Sequence, residues 1–495
     1  MNSAIHIHDS DTVAVALQDL TEGQDIQIEG QPIRVKTRIP RGHKFAIRAH
    51  ALNEWVVKYG YPIGRATAPI QVGEHVHSHN LSTALSAQLE CSYSPVAATK
   101  VEPKVATWRG YRRSSGAIAT RNEIWIVPTV GCVARTAELL ARDFNAKLAA
   151  YPNIDGVFAF PHTFGCSQIG DDLRNTQQVL ARLVEHPNAA GVLVLGLGCE
   201  NNHWESFRTF IGKEGQGKVR YLGAQASSDE YADGIAYLEE LAALANNATR
   251  EELALSDLTI GLKCGGSDGF SGITANPLLG RLASTIAASG GRVVLTEVPE
   301  MFGAESSLFS RCANEAVFER AVSLIQNFRE YYIAHNQPVS ENPSPGNKDG
   351  GITTLEEKSL GCVQKAGDAT ITDVIKYGAT VEKAGLTLLQ GPGNDQISCT
   401  ALAAAGCHVI LFTTGRGTPI GSPVPTVKVA TNHALAEQKP KWIDFDAGTL
   451  ALDAQRAEVD SQFLAKVLAI VSGDRTRNEQ NQQRDIAIFK DGVTL

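Results

Sequence analysis

The sequence predicts an α/β protein: a small N-terminal β-rich domain followed by two α/β regions with parallel-type sheets. Three observations predict it. Residues 6–80 alternate short apolar stretches with Gly and Pro turns at period two. From Trp108 onward, strand-like runs alternate with stretches of helical spacing. Polar, glycine-rich loops follow several of those strands.

The elements take this order. "TVAVAL", "DIQIEGQPIRV", "RGHKFAI", "EWVVKYGYPIGRA" and "EHVHSHN" give the β domain, residues 5–82. Residues 83–107 have no clear period and two prolines, and read as a linker. The second region, 108–250, runs "NEIWIVPT", "CVARTAELLARDFNAKLAA", "GVFAF", "NTQQVLARLVEH", "GVLVLGLGCE". "ANNATREELALSD" (245–257) is the polar boundary that ends it. The third region, 251–495, resumes the alternation with "LTIGLK", "LLGRLASTIAAS", "GRVVLTEV", "LTLLQGP" and "CHVILFTTG".

A chain of 495 residues suits about three domains. It is 43% hydrophobic and 20% charged, ordinary values for a globular protein. A net charge of −8 excludes the basic footprint of a nucleic-acid binder. No apolar run approaches the ~20 residues of a membrane helix. The start, MNSAIHIHDSD, lacks a basic n-region and an apolar h-region, and nine cysteines argue against a disulfide framework. A cytoplasmic protein with reduced thiols is expected, and a homo-oligomer is compatible with it.

In open α/β sheets, ligands bind beyond the carboxyl ends of the strands. The loops placed there are 161–172, 196–202, 264–277, 296–305, 391–396 and 413–419. Their glycines let backbone approach a ligand, and exposed N–H groups can hold anionic oxygens. None ends in the GK[ST] of a phosphate loop, and GLGCEN lacks the three-glycine dinucleotide pattern. His75, His77 and His79 alternate, so on an extended strand all three face one way, a site for Fe, Mn or Zn or else a polar edge strand. Cys132, Cys166, Cys199 and Cys264 each stand beside a glycine at a strand-to-loop junction. They are either buried apolar thiols or ligands of iron or an iron–sulfur cluster. Lys348, in a Pro/Gly/Asn-rich loop, could reach a carboxylate. Arg416, between two glycines, offers one a bidentate match.

Together "GHKFA", "VKYGYPIG", "HVHSHN", "VPTVGCV", "HTFGCSQ", "GLGCENN", "LKCGGSDGFSGITANP", "TEVPEMFGAE", "NPSPGNKDGGITTLEEKSLG" and "FTTGRGTP" resemble the altronate/galactarate dehydratase family from about residue 5 to 495. The resemblance implies an N-terminal SAF (β-clip) domain and dehydration of a sugar acid, with ferrous iron or manganese as activator. The histidine run favours the altronate branch, in which D-altronate would give 2-keto-3-deoxy-D-gluconate plus water. Such a reaction needs a base for the C2 proton and an acid for the departing C3 hydroxyl. Under this resemblance His43, Lys44, Glu297 and His162 are the acid–base candidates. Ser267, Asp268, Asn276, Lys348 and Arg416 would bind substrate. His75, His77 and His79 are the first metal candidates, with Cys132, Cys166, Cys199 and Cys264 as the rival set. The expected partner is a small sugar acid. A galactarate dehydratase and a non-catalytic sugar-acid binding protein are the rival readings.

Overall fold

The computed structural model describes residues 3–85, 91–96, 99–212, 215, 217–452 and 455–495. The N-terminal domain is all β. Strands Ala4–Ile5, Val13–Ala16, Lys44–Ala46 and His75–Val76 form one antiparallel sheet in that order. Trp55–Lys58, Tyr61–Ala66 and Leu81–Ser82 form a second. Asp25–Ile28 and Gln31–Arg34 pair as a hairpin whose turn residues, Glu29 and Gly30, have φ of 51° and 80°. Two positive φ values in a two-residue turn match the twist of the flanking strands.

The second region is a parallel sheet with strand order Gly156–Ala159, Glu123–Pro128, Ala189–Gly196, Val219–Gly223. Helices Ala134–Asn145, Gly170–Glu185 and Glu230–Ala245 cover it. Its first strand in the chain lies between the second and third. The chain therefore leaves Glu123–Pro128 to opposite sides, which opens a crevice at that strand's carboxyl end.

The third region repeats the plan at larger scale. Its seven parallel strands run in the order Ile371–Ile375, Gly385–Leu389, Arg292–Leu295, Thr259–Cys264, Val409–Thr414, Thr426–Ala430, Phe445–Asp446. The first strand is again central, so a second crevice opens beyond Cys264.

Two expectations change here. The polar boundary at 245–257 carries a strand, Glu251–Ala254, which pairs antiparallel with Thr107–Arg112. This ladder ties the start of one α/β region to the start of the next. Of the linker, residues 86–90 and 97–98 lie outside the described residues. The described part lies against the third region: Tyr93 packs on Phe318 at 5.4 Å, and the Val96 N–H donates to the Ser310 carbonyl at 2.9 Å.

The N-terminal domain contributes Val56, Ile63, Val76 and Leu81 to the same buried cluster as Leu262, Leu279 and Leu355. Apolar burial, worth roughly 25 cal/mol per Å2, holds it against the third region. Among the described residues no helix is long and apolar enough to cross a membrane.

Candidate active site

The seam between the N-terminal domain and the third region gathers most of the expected residues. It starts from glycines. A Cβ on Gly269 would lie 1.9 Å from the Gly42 carbonyl oxygen, and one on Gly351, at φ +100°, would lie 2.4 Å from the same atom. Only bare backbone lets the 42–44 turn seat this closely between loops 268–272 and 349–351. These glycines serve domain docking, where the sequence suggested a basin for ligand.

Seated there, His43 points one ring nitrogen at the Asp349 carbonyl (3.2 Å) and the other at His75 (3.0 Å). The three expected histidines do not share a strand face, because the strand stops at Val76. A turn gathers them. Ring centroids are 5.5 Å apart for His75–His77 and 5.4 Å for His75–His79, and His43 joins at 5.1 Å from His75 and 5.2 Å from His77. Burial, then His43 and His77, holds His75 down to about 3; burial, Lys44 and His43 hold His77 down to about 4. At neutral pH both rings are uncharged and can offer nitrogen lone pairs.

Lys44 is fully buried, which removes it as a group that meets substrate. Its Nζ donates to Glu357 Oε2 (2.7 Å), to Thr353 Oγ1 and to the Gly351 carbonyl. Lys58, also buried, donates to the other Glu357 oxygen at 2.8 Å. Burial opposes the Glu357 charge, but Lys44 and Lys58 outweigh it and hold the carboxyl at about 2. Two ammonium groups sharing one carboxylate leave one excess positive charge. Burial, relieved only in part by Glu357 and worsened by Lys58, brings Lys44 down to about 8, whereas Lys58 goes up. Lys44 is thus the one that yields its proton first.

Behind the glycine loop lies a second buried charge network. Glu297, at φ 69°, sits between Lys263 and Lys365 (2.9 Å) and accepts the Cys264 N–H at 3.1 Å. Lys263 also pairs with Asp395 at 2.9 Å, and Lys358 with Glu300 at 2.8 Å. Burial and the charge of Glu300 push Glu297 up to about 7. A left-handed φ on a non-glycine residue is costly, and such strain concentrates at working sites. Lys263, Lys365, Lys358 and Glu300 were not singled out from the sequence. Lys263 carries the readable signal: a lysine closing an otherwise apolar strand.

Several expected roles are corrected. His162 has both ring nitrogens engaged by backbone: Nε2 lies 2.8 Å from the Pro128 carbonyl, and Nδ1 accepts from the Phe164 N–H at 3.1 Å. It pins a loop of the second region and is unavailable as an acid or base. The Asp268 carboxylate is buried and saturated by Thr431, Asn432, Ser271 and the Phe270 N–H. Asn276 donates to the Gly361 carbonyl (2.8 Å) and accepts from Thr413 (2.6 Å). Ser267 has its Oγ 2.7 Å from Cys264 Sγ and its carbonyl on Asn347. These three brace the loop and have no free group for substrate. Lys348 and Arg416 are exposed. They flank Asp268, since a Cβ on Gly350 or Gly415 would meet that side chain. They keep the capacity to bind a carboxylate.

The four cysteines do not form one set. Cys264 is buried in the third region beside Cys362, which pulls its thiol down to about 5. Cys132, Cys166 and Cys199 are exposed on loops of the second region. Among the described residues no three His, Cys, Asp or Glu side chains converge on a point that would hold a single metal ion. By donor chemistry, the imidazoles of His75, His77 and His79 still suit a divalent transition metal.

A cluster of imidazoles with exposed cations nearby, backed by buried lysine–glutamate networks, suits an enzyme that moves protons on a small anionic ligand. Comparison with known proteins makes the class specific. Residues 2–84 match the altronate/galactarate dehydratase SAF domain. Residues 110–246 match the second domain of D-galactarate dehydratase/altronate hydrolase, and 255–494 the C-terminal region of D-galactarate/altronate dehydratase. An altronate dehydratase of Bacillus subtilis is 51% identical, over 100% of both chains. One of Escherichia coli is 49% identical over 99% of both. A galactarate dehydratase (L-threo-forming) of Escherichia coli is 32% identical over 95% of this chain and 93% of its own. The chain belongs to the altronate/galactarate dehydratase family and is a hydro-lyase.

Proposed function

We propose that the chain dehydrates D-altronate to 2-dehydro-3-deoxy-D-gluconate plus water, a step of hexuronate breakdown, with Fe2+ or Mn2+ as activator. The observation that carries this reading is end-to-end identity of about half with two altronate dehydratases, against 32% with the galactarate enzyme. Nine free cysteines suit a cytoplasmic setting.

In this reading Arg416 and Lys348 hold the substrate carboxylate at the rim of the seam. His43, neutral and tied to the Asp349 carbonyl, is placed to exchange a proton with the substrate. His75, His77 and His79 would hold the divalent ion, which supplies stabilisation of negative charge on the carboxylate as the C2 proton leaves. Glu357 fixes the 42–44 turn through Lys44, so it positions His43 without touching substrate. Glu297 keeps a proton-exchanging group behind the loop.

The test is an anaerobic keto-acid assay on chelator-stripped protein, with D-altronate and galactarate separately, with and without Fe2+ or Mn2+. Metal-restored turnover of altronate alone is expected. Turnover of galactarate alone, or of neither, overturns the assignment.

A further inference from the structure

A cavity of about 430 Å3 opens at another junction between the N-terminal domain and the third region. Its volume is that of a small-molecule site. Tyr61 of the N-terminal domain, Thr99 of the segment that follows it, and Ser307, Arg311 and Thr370 of the third region line it. Among the described residues neither the imidazole cluster nor Lys348 nor Arg416 reaches it.

The third-region wall forms where helix Glu305–Phe309 ends. Leu308 and Phe309 stay in the core, and Ser310 and Arg311 leave it. The Tyr93 hydroxyl donates to the Cys312 carbonyl at 3.3 Å, which fixes the segment after the N-terminal domain as a further wall. Arg311 is half-buried. Its Nη1 donates to the Gly367 carbonyl, and among the described residues the guanidinium forms no ion pair. Burial pulls it below its ordinary value, and Asp368 opposes this only in part. A guanidinium offers a planar fork of N–H donors that matches a carboxylate. The hydroxyls of Tyr61, Ser307 and Thr370 make no side-chain hydrogen bond among the described residues.

We infer that this cavity is a second ligand site, which takes a small hydroxylated monocarboxylate. The carboxylate meets Arg311, and the ligand's hydroxyls meet Tyr61, Ser307 and Thr370. A single cation, with the acid Asp368 on the same wall, sets the ligand charge at one. An anion of higher charge, such as a phosphate ester, would be left uncompensated. The site spans the joint. Tyr61 pairs across its hairpin with Lys58, which holds Glu357, and the helix bearing Glu357 ends at Val363 on the cavity wall. A ligand touching both pieces binds only the docked arrangement and stabilises it by mass action. The inference does not rest on the altronate reading, because it uses none of the residues assigned to that reaction.

The probe is D-gluconate, with sorbitol as a similar chain without charge and inorganic phosphate as charge without the chain. Equilibrium dialysis uses the full chain carrying Arg416→Ala and Lys348→Ala, which removes carboxylate binding at the seam. This double variant is expected to hold one gluconate per chain and to melt higher as gluconate is added. Adding Arg311→Gln should weaken gluconate binding by about tenfold or more, the loss of a hydrogen bond to a charged group. Sorbitol and phosphate should bind more weakly than gluconate by a similar factor. In wild type, gluconate should shield Arg311 from phenylglyoxal, read by peptide mass. Gluconate binding unchanged by Arg311→Gln overturns the inference, as does a double variant that binds none. Phosphate held more tightly than gluconate overturns the ligand class. Should Arg311→Gln fail to fold, Ser307→Asp takes its place: it keeps Arg311, puts a carboxylate on the wall, and must also weaken binding. Should neither fold, Arg311 left unshielded in wild type overturns the site.

Discussion

Lys44 of the N-terminal domain and Glu357 of the third region meet with Nζ 2.7 Å from Oε2, both out of solvent and 313 residues apart in the chain. The same carboxylate accepts Lys58 on its other oxygen. Removing it leaves two buried ammonium groups uncompensated. Breaking one partner of a buried pair costs about 3–5 kcal/mol. Glu357→Gln is expected to lower the denaturant midpoint. A variant as stable as wild type would remove this pair from the docking account.

Acid should act on the same joint. Glu357 is held at about 2 against its ordinary 4.5, so its stabilisation is complete above pH 4.5. It is lost as pH falls from 4.5 towards 2, on the order of 3 kcal/mol in all. Lys44, brought down to about 8, changes charge only on the alkaline side and does not blur this window. Urea unfolding followed from pH 6 to pH 2.5 should show a shallower acid slope in Glu357→Gln than in wild type. Equal slopes would mean that other carboxylates carry the acid sensitivity.

His43 and His162 should separate cleanly. His43→Ala removes a ring from the imidazole cluster and should lower kcat on the order of 100-fold or more while the circular dichroism spectrum stays intact. His162→Ala leaves the Phe164 N–H and Pro128 carbonyl unpaired and should cost about 1–3 kcal/mol of stability. Steady-state rates and thermal melts on both variants check the pair. A His43 variant with wild-type kcat would remove the proton-exchange role given to that ring.

Arg416 is exposed, so its loss should be nearly silent for folding, within about 0.5 kcal/mol. Arg416→Ala should instead raise KM for the sugar acid by roughly tenfold, the worth of one hydrogen bond to a charged group. Arg416→Lys should recover part of it. An unchanged KM would move carboxylate binding to Lys348 or elsewhere.

The alternation of strand-like and helix-like runs made both parallel sheets readable, because each strand and each helix is coded by neighbouring residues. The histidine run was readable too, although its geometry was not: a turn after Val76 replaced the expected strand face. What stayed hidden depends on distance along the chain. Lys58 and Glu357 read as ordinary charges, and Lys44 as an acid–base candidate, until the fold places the three in one desolvated spot. Asp268 and Asn276 misled for a related reason. A polar residue in a glycine loop can greet a ligand or brace the loop, and only its partners, Thr431 and Thr413, tell which.

Among the described residues, no β-ladder joins the N-terminal domain to the rest of the chain. Its grip is an apolar face, a bed of glycines and side-chain hydrogen bonds, with Glu357 and Glu356 among their acceptors. Such a joint works as plug and socket. The tether between the two pieces sets only their local concentration, while the socket supplies the fit. Made as two polypeptides, the pieces would still carry full instructions for each other. Severing the tether would turn an internal seam into an affinity between molecules, and protein concentration would then set how much of the imidazole cluster is assembled.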